Sequence, residues 1–369
     1  MSKARKIAAY ITFPIGMFYA IGVAFRNMQF SLGIKREVCP PTTTIGIGNI
    51  ACGGTGKTPH SEYLIRLLKD QYKVAYLSRG YRRKTKGMIE ATSQSTAAEL
   101  GDEASMIASK FPDITTMVCE RRMRAINSMM NRTDAPDVII LDDAYQHRYV
   151  KPTINILLTD YHHPLYEDHI LPFGNLREFR SARHRANIII VTKCPKQFHP
   201  IEKNNIQLHL NTKPCQKIFY SYLEYGTPIA LNHTNDEAPL DIANVDHALI
   251  LSGIAHPQPM VDYMKQFCAV TLRQFPDHHN FTTQEIQQTI DQFGQLNGQH
   301  KIIITTEKDA ARLQHPTLQQ LLQHLPVYVL PIEVKFHNSP DFDFDKMICS
   351  AIKENITFQS RLKKYREKN

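Results

Sequence analysis

The run Ala51-Cys52-Gly53-Gly54-Thr55-Gly56-Lys57-Thr58 is suited to one kind of chemistry, the holding of a polyphosphate. Glycines let successive backbone N–H groups close around phosphate oxygens, and a helix starting just beyond adds the partial positive charge of its N-terminus. Lys57 would reach the β- and γ-phosphates of a nucleotide, and the Thr58 hydroxyl would bind Mg²⁺. Ala51 stands where the first Gly of G-x-x-x-x-G-K-T would be. The context is what this loop requires: strand-like Ile45-Gly46-Ile47-Gly48-Asn49-Ile50 before it, a helical pattern from Ser61 to Lys69 after it. A second element fits the first. Val138-Ile139-Ile140-Leu141 ends in Asp142-Asp143, and adjacent carboxylates at a strand end are costly unless a cation or hydrogen bonds compensate them. Together with Thr58 they form the expected Mg²⁺ ligands.

The base of the nucleotide is read from a negative. Ile188–Val191 runs into Thr192-Lys193-Cys194-Pro195, which has the Thr-Lys of a guanine-reading loop without its Asp. Glu307-Lys308-Asp309 has the wrong order. Loss of that charged partner favours ATP.

Phosphoryl transfer then needs a group to orient or deprotonate the acceptor. In Gly101-Asp102-Glu103, Asp102 either caps a helix or takes a proton from a hydroxyl. Phe275-Pro276-Asp277-His278-His279 places two histidines side by side; neighbours on a strand point to opposite faces, so the pair is not expected to hold one ion. Ser78-Arg79-Gly80-Tyr81-Arg82-Arg83 presents guanidinium groups suited to phosphate.

These residues must be carried by a scaffold, and the apolar runs indicate which. Thr42–Gly48, Val74–Ser78, Ile114–Cys119, Val138–Leu141, Ile154–Thr159 and Ile188–Thr192 read as strands, and so do Ile218–Leu223, Ala248–Ser252, Ile302–Thr306 and Val327–Val334. Several are continuously apolar, as in parallel sheets buried on both faces, with helical patterns between them. The expected fold is α/β: a P-loop NTPase-type parallel-sheet domain at 40–225 and a smaller second α/β domain at 226–369. Gly226, Pro228, Asn232, Asn235 and Pro239 interrupt the pattern at the boundary.

Residues 1–39 are expected to form an N-terminal membrane-associating helix and linker. Lys3, Arg5 and Lys6 precede an apolar run from Ile7 to Phe25, long enough to reach across a bilayer but broken by Thr12, Pro14, Gly16 and Gly22. With 42% hydrophobic and 21% charged residues in 369, the chain is globular, which excludes disorder, collagen-like repeats and coiled-coil rods. A net charge of +9 favours anionic partners. A nucleic-acid binder is not indicated, for no recognition motif or aromatic platform accompanies the charge. The seven cysteines are scattered without a C-x-x-C pair, which points to a reducing compartment and away from a zinc site. Besides a kinase, a regulatory P-loop NTPase coupling hydrolysis to partner binding is the alternative; the missing guanine-reading Asp and the motif-bearing second half count against it.

Taken in order, the motifs resemble one family. They are Gly48-Asn49 leading to Gly53-Gly54-Thr55-Gly56-Lys57-Thr58-Pro59, then Ser78-Arg79-Gly80-Tyr81, Gly101-Asp102-Glu103 and Asp142-Asp143-Ala144-Tyr145-Gln146-His147-Arg148. Leu171-Pro172-Phe173-Gly174-Asn175-Leu176-Arg177-Glu178 follows, and the second half adds Ser252-Gly253-Ile254-Ala255, Asp277-His278-His279 and Thr305–Leu313. The chain resembles the tetraacyldisaccharide 4′-kinases of Gram-negative bacteria over most of its length. Ala144, where the family usually has Gly, and the Ala51-Cys52 opening are the departures. The resemblance implies transfer of the ATP γ-phosphate to the 4′-hydroxyl of an acylated glucosamine disaccharide 1-phosphate, giving lipid IVA. It further implies two α/β domains around a cleft, at the cytoplasmic face of the inner membrane, with inner-membrane lipids met by the N-terminal helix. Carried over residue by residue, Asp102 becomes the base and His278 its partner. Lys57, Thr58, Asp142 and Asp143 handle phosphates and Mg²⁺, and Asn49, Arg79 and Arg177 meet the disaccharide or its 1-phosphate.

Overall fold

The computed structural model describes residues 3–231, 240–277, 279–338 and 342–368. Two α/β layers account for them. The first contains β1 (Thr43–Asn49), β2 (Val74–Ser78), β3 (Ile89–Glu90), β4 (Thr115–Val118), β5 (Val138–Leu141), β6 (Ile154–Asp160), β7 (Ile188–Thr192) and β8 (Lys217–Tyr225). The second contains β9 (Ile229–Ala230), β10 (His247–Ser252), β11 (Ala269–Gln274), β12 (Lys301–Thr306) and β13 (Val327–Leu330), after which β14 (Ile332–Phe336) returns to the first. Strand orders are β14-β8-β7-β6-β1-β5-β2-β4-β3 and β11-β10-β12-β13-β9. Within each sheet all pairings are parallel except at the edges, where β14, β3 and β9 run antiparallel to their neighbours.

The helices are α1 (Lys3–Ser31), α2 (Lys57–Leu68), α3 (Ala97–Leu100), α4 (Asp102–Lys110), α5 (Arg122–Met130) and α6 (Pro200–Leu210) in the first part of the chain. Then come α7 (Gln258–Met264), α8 (Thr283–Gly294), α9 (Glu307–Leu313), α10 (Pro316–Leu322) and α11 (Phe344–Lys368). The continuous apolar strands are buried on both faces as their sequences require. Val138 and Ile140 pack on one face of the first sheet with Leu64 and Leu68 of α2 and Ile348 and Ile352 of α11. Ile139 and Leu141 pack on the other with Ala125 and Ile126 of α5.

The stretch expected as one second domain, 226–369, is divided. Pro331 separates what reads as a single strand, Val327–Val334, into β13 and β14, because proline has no N–H to give a ladder. β13 stays in the second sheet and β14 pairs with β8 of the first. Phe336 then stacks on Phe344 at 4.1 Å between centroids, and α11 lies against the first sheet. The chain therefore crosses between the layers twice, at residues 226–228 and at Pro331, where the Gly226 N–H donates to the Pro331 carbonyl at 3.0 Å.

Among the described residues no helix is long and apolar enough to cross a membrane. The second half of α1 instead lies on the protein: the Tyr19 hydroxyl donates to the Arg177 carbonyl, Arg26 to the Gln146 carbonyl and Asn27 to Glu178. Its other side leaves Phe18, Ile21 and Phe25 exposed.

Candidate active site

β1 sits at the middle of the first sheet between β5 and β6, so the loop leaving its carboxyl end emerges beside Asp142-Asp143 at the end of β5. Gly56 lies at φ +85° just before α2, a left-handed conformation that side chains rarely adopt. No side chain caps this helix start, which leaves its N–H groups facing the loop. The loop is held from behind. Cys52 N–H donates to the Asn175 carbonyl at 2.6 Å, Arg177 N–H to the Ile50 carbonyl at 2.6 Å, and the Thr192 hydroxyl to the Thr55 carbonyl at 3.0 Å. His60, one turn into α2, is buried with Nδ1 2.7 Å from the Gly56 carbonyl and Nε2 2.9 Å from the Ser221 hydroxyl. Burial pushes its pKa down to about 4, so the ring is neutral at physiological pH and braces the loop without adding charge.

The two carboxylates differ sharply. Asp142 is fully buried and accepts from the Tyr76 hydroxyl at 2.8 Å, with the Ser61 hydroxyl at 3.5 Å. Burial first, then the nearby charges of Glu103 and Asp143, push its pKa up to about 6 against the opposing pull of Lys57. Asp143, at φ +43°, faces cations: Lys57 Nζ at 3.7 Å and two Arg177 nitrogens at 3.1 and 3.3 Å. Burial would raise it, but Lys57 and Arg177 outweigh burial and hold it below the usual carboxylate range. Arg122, 2% exposed, clamps the turn by donating to the carbonyls of Asp142 and Asp143 at 2.6 and 3.1 Å.

This donor set fits a hard divalent cation. Asp142 is a desolvated carboxylate crowded by two other acids, and Thr58 supplies a buried hydroxyl on the adjoining helix. Among the described residues no group of three His, Cys, Asp or Glu could hold a metal ion. Mg²⁺ takes one or two protein ligands and completes its shell with substrate phosphates and water, and Asp142 and Thr58 are of that kind.

Asp102 is the first residue of α4, and Gly101, at φ +85°, takes the capping position. A Cβ on Gly101 would lie 2.7 Å from the Tyr81 carbonyl oxygen, so the start of α4 is pressed against the loop after β2. Asp102 does not itself occupy the capping position. Its carboxylate instead accepts from Arg312 Nη2 of α9 at 2.6 Å, and Lys308 Nζ approaches neighbouring Glu103 at 3.7 Å. The second layer thus meets the first at the candidate base. His278 lies outside the described residues. His279 is turned toward its own layer, stacked on Phe275 at 4.9 Å and bonded to Glu285 at 2.9 Å.

The three expected substrate contacts separate. Arg79 is exposed beyond β2 and near enough to His147 to lower its pKa, behind burial and Arg122 in effect. Arg177 is spent on Asp143 and Asn49. Asn49 is fully buried, its amide donating to the Thr55 hydroxyl at 2.7 Å, and so serves the loop itself. Arg122, Tyr76 and Arg312 escape a reading by motif chemistry. Only Arg312 leaves a trace, its three-residue spacing from Asp309 on one helix face.

The family model for Tetraacyldisaccharide-1-P 4′-kinase matches residues 8–353. The tetraacyldisaccharide 4′-kinase of Bacteroides thetaiotaomicron is 42% identical over 354 residues, covering 93% of each chain. That of Flavobacterium johnsoniae is 41% identical over 358 residues, covering 96% of this chain and 99% of its own. Among solved structures, LpxK from Aquifex aeolicus in complex with ATP superposes with a TM-score of 0.71 at 26% identity, over 94% of this chain and 99% of that one. Matched by the family model over residues 8–353 and by these relatives over more than nine-tenths of its length, the chain belongs to the tetraacyldisaccharide 4′-kinase family.

Proposed function

We propose that the carboxyl edge of the first sheet is where this chain carries out the family's reaction, transfer of the ATP γ-phosphate to the 4′-hydroxyl of tetraacyldisaccharide 1-phosphate to form lipid IVA. The observation that carries the assignment is the convergence of an uncapped glycine-led helix start, Lys57 3.7 Å from Asp143, and a buried Asp142 on which Glu103 at the start of α4 acts electrostatically. Loop N–H groups and Lys57 hold the phosphates, and Lys57 leaves Asp143 for the more strongly charged γ-phosphate as charge develops on it. Thr58 and Asp142 would hold Mg²⁺, which when bound would neutralise phosphate charge. Asp102 accepts the proton of the 4′-hydroxyl as its oxygen bonds to the γ-phosphorus, while the bond from that phosphorus to the β,γ-bridging oxygen breaks and ADP leaves with the electron pair. His278 is the proposed partner of Asp102, and Arg79 meets an anionic part of the acceptor.

Lipid substrate explains the apolar side of α1. Phe18, Ile21 and Phe25 are exposed while the opposite side of the helix bonds to Arg177, Gln146 and Glu178 next to the site. A helix so placed lies on the cytoplasmic surface of the inner membrane and holds the site against acyl chains.

The test is incubation of purified protein with γ-labelled ATP, Mg²⁺ and tetraacyldisaccharide 1-phosphate in detergent. Label on a bis-phosphorylated lipid, reduced by about three orders of magnitude or more in Asp102→Ala with ATP affinity retained, is the expected result. Free phosphate without labelled lipid would transfer the assignment to a regulatory NTPase. Deleting residues 1–25 is expected to lower sedimentation with anionic vesicles more than turnover on detergent-dispersed substrate; unchanged sedimentation would remove α1 as the anchor.

A further inference from the structure

Arg312 belongs to α9, in the second layer, yet it touches the carboxylate proposed as the base in the first. Its side chain is 5% exposed, and its two terminal nitrogens are divided between two acids. Nη2 donates to Asp102 at 2.6 Å, and Nη1 donates to Asp309 at 2.9 Å. Asp309 is fully buried and is fixed from three sides: the Gly253 N–H at 3.0 Å, the Thr306 hydroxyl at 2.8 Å and Arg312 itself. A Cβ on Gly253 would meet Asp309 at 3.0 Å, so the loop after β10 is close-packed on that carboxylate.

The geometry of a guanidinium makes this arrangement directional. It is a rigid planar fork, and once one nitrogen is seated on an immobile carboxylate the other can point only one way. Asp102, by contrast, has a short, half-buried side chain at the start of α4, and its rotamers differ in where they place the carboxylate oxygens relative to an acceptor hydroxyl. Placement of a reacting group is worth much: a displacement of about 1 Å can cost a factor of about 10² in rate.

We propose that Arg312, seated on Asp309, is a positioning residue that orients the Asp102 carboxylate for proton acceptance, so that the base is correctly set only when the two layers are docked. This rests on the reading of Asp102 as the base. A lysine could not replace it fully, since one ammonium lacks the fork that serves two fixed acids at once.

The experiment is a double-mutant cycle on the full chain, reading turnover with γ-labelled ATP and tetraacyldisaccharide 1-phosphate. Arg312→Gln is expected to lower kcat about 10- to 100-fold with KM for ATP changed less than twofold, and Arg312→Lys to recover only part of the loss. In an Asp102→Ala background, where there is nothing left to orient, Arg312→Gln is expected to change the residual turnover less than twofold. Wild-type turnover in Arg312→Gln would overturn the proposal, and so would the same fractional loss in both backgrounds, which marks a role independent of Asp102. If a thermal melt shows that Arg312→Gln has lost its fold, the cycle is run with Arg312→Lys, where wild-type turnover overturns the proposal equally. Full activity in Asp102→Ala alone would instead remove the base assignment and leave the Arg312 contact as packing.

Discussion

The two parallel sheets make opposite use of the same place. Open α/β sheets bind ligands beyond the carboxyl ends of their strands, and each sheet here has a loop and a helix start there. In the first, Gly56 precedes α2 and no side chain caps it, so the N–H groups of the helix start are left for an outside anion. In the second, the Thr306 hydroxyl accepts from the Asp309 N–H at 3.1 Å, and the Asp309 carboxylate takes the Gly253 N–H of the loop after β10. The second edge therefore carries its own anion. A parallel sheet gains a phosphate site by leaving donors unsatisfied, and closes that site by supplying a carboxylate of its own. What the second edge still offers is cationic: Lys308 and Arg312, reaching Glu103 and Asp102.

The sharpest way to break this contrast is to remove one lysine from each edge. Lys57→Ala is expected to lower kcat about 10³-fold, the scale for losing a group that meets developing charge. Lys308→Ala removes a 3.7 Å contact to Glu103 by a side chain about one-third exposed, and is expected to change kcat less than about threefold. Comparable losses in steady-state assays would mean that the second edge also handles phosphate.

The buried acids of the two edges give the next largest effect, with opposite signs. Asp142 has its pKa raised to about 6 by burial and by its acidic neighbours. A carboxyl raised from about 3.9 when unfolded makes the native state the stronger proton binder between those values, so stability falls as pH rises through that window and the full cost stands above pH 6. Asp142→Asn is expected to abolish most turnover yet raise stability at pH 7.5 by about 3 kcal/mol, since the shift is about two pKa units and one unit is worth about 1.4 kcal/mol. The gain should vanish below about pH 4. Asp309 is also raised by burial, but Gly253, Thr306 and Arg312 oppose the shift. Asp309→Asn, which weakens those bonds to a buried partner, is expected to lower stability by about 1–3 kcal/mol. Denaturant melts at pH 7.5 and pH 4 decide; a stability loss in Asp142→Asn would show that its bond to Tyr76 outweighs its desolvation.

Which of these features could be read from the chain follows a physical divide. The loop at 51–58, the Asp142-Asp143 strand end and the α/β alternation are legible because local backbone needs dictate them: glycine where φ is positive, continuous apolar residues where both faces are buried. The division of the second half was not legible, because β14 joins the first sheet by pairing with β8 across the whole second layer, and strand pairing leaves no local mark. Asp102 reads from its local sequence more readily as a cap, and only the fold shows Gly101 taking that position and Arg312, 210 residues away, taking the carboxylate. Asn49, read as a substrate contact, is consumed inside the loop that it helps to shape.

Between the two edges lies α4, and its far end supplies the smallest and last test. Lys110, the final residue of α4, sits 2.5 Å from Glu62 of α2 and 2.5 Å from Glu307 of α9. Glu62 is 3% exposed, and burial raises its pKa against the pull of Lys110. Lys110→Met would leave that buried carboxylate facing Glu307 with only Arg66, 3.5 Å away on its own helix, as a cation beside it. Breaking a fully buried pair costs about 3–5 kcal/mol; with Lys110 about one-quarter exposed, about 2 kcal/mol is expected, or a fall in Tm of several degrees. Lys110→Met combined with Glu62→Gln should recover most of that fall, because a buried charge facing Glu307 with only the half-exposed Arg66 to offset it is what costs. Catalysis should move less than about threefold, since the start of α4 is held separately by Arg312. If kcat falls with Tm and returns with Glu62→Gln, then both ends of α4 set the orientation of Asp102, and the division between a structural far end and a functional near end is wrong.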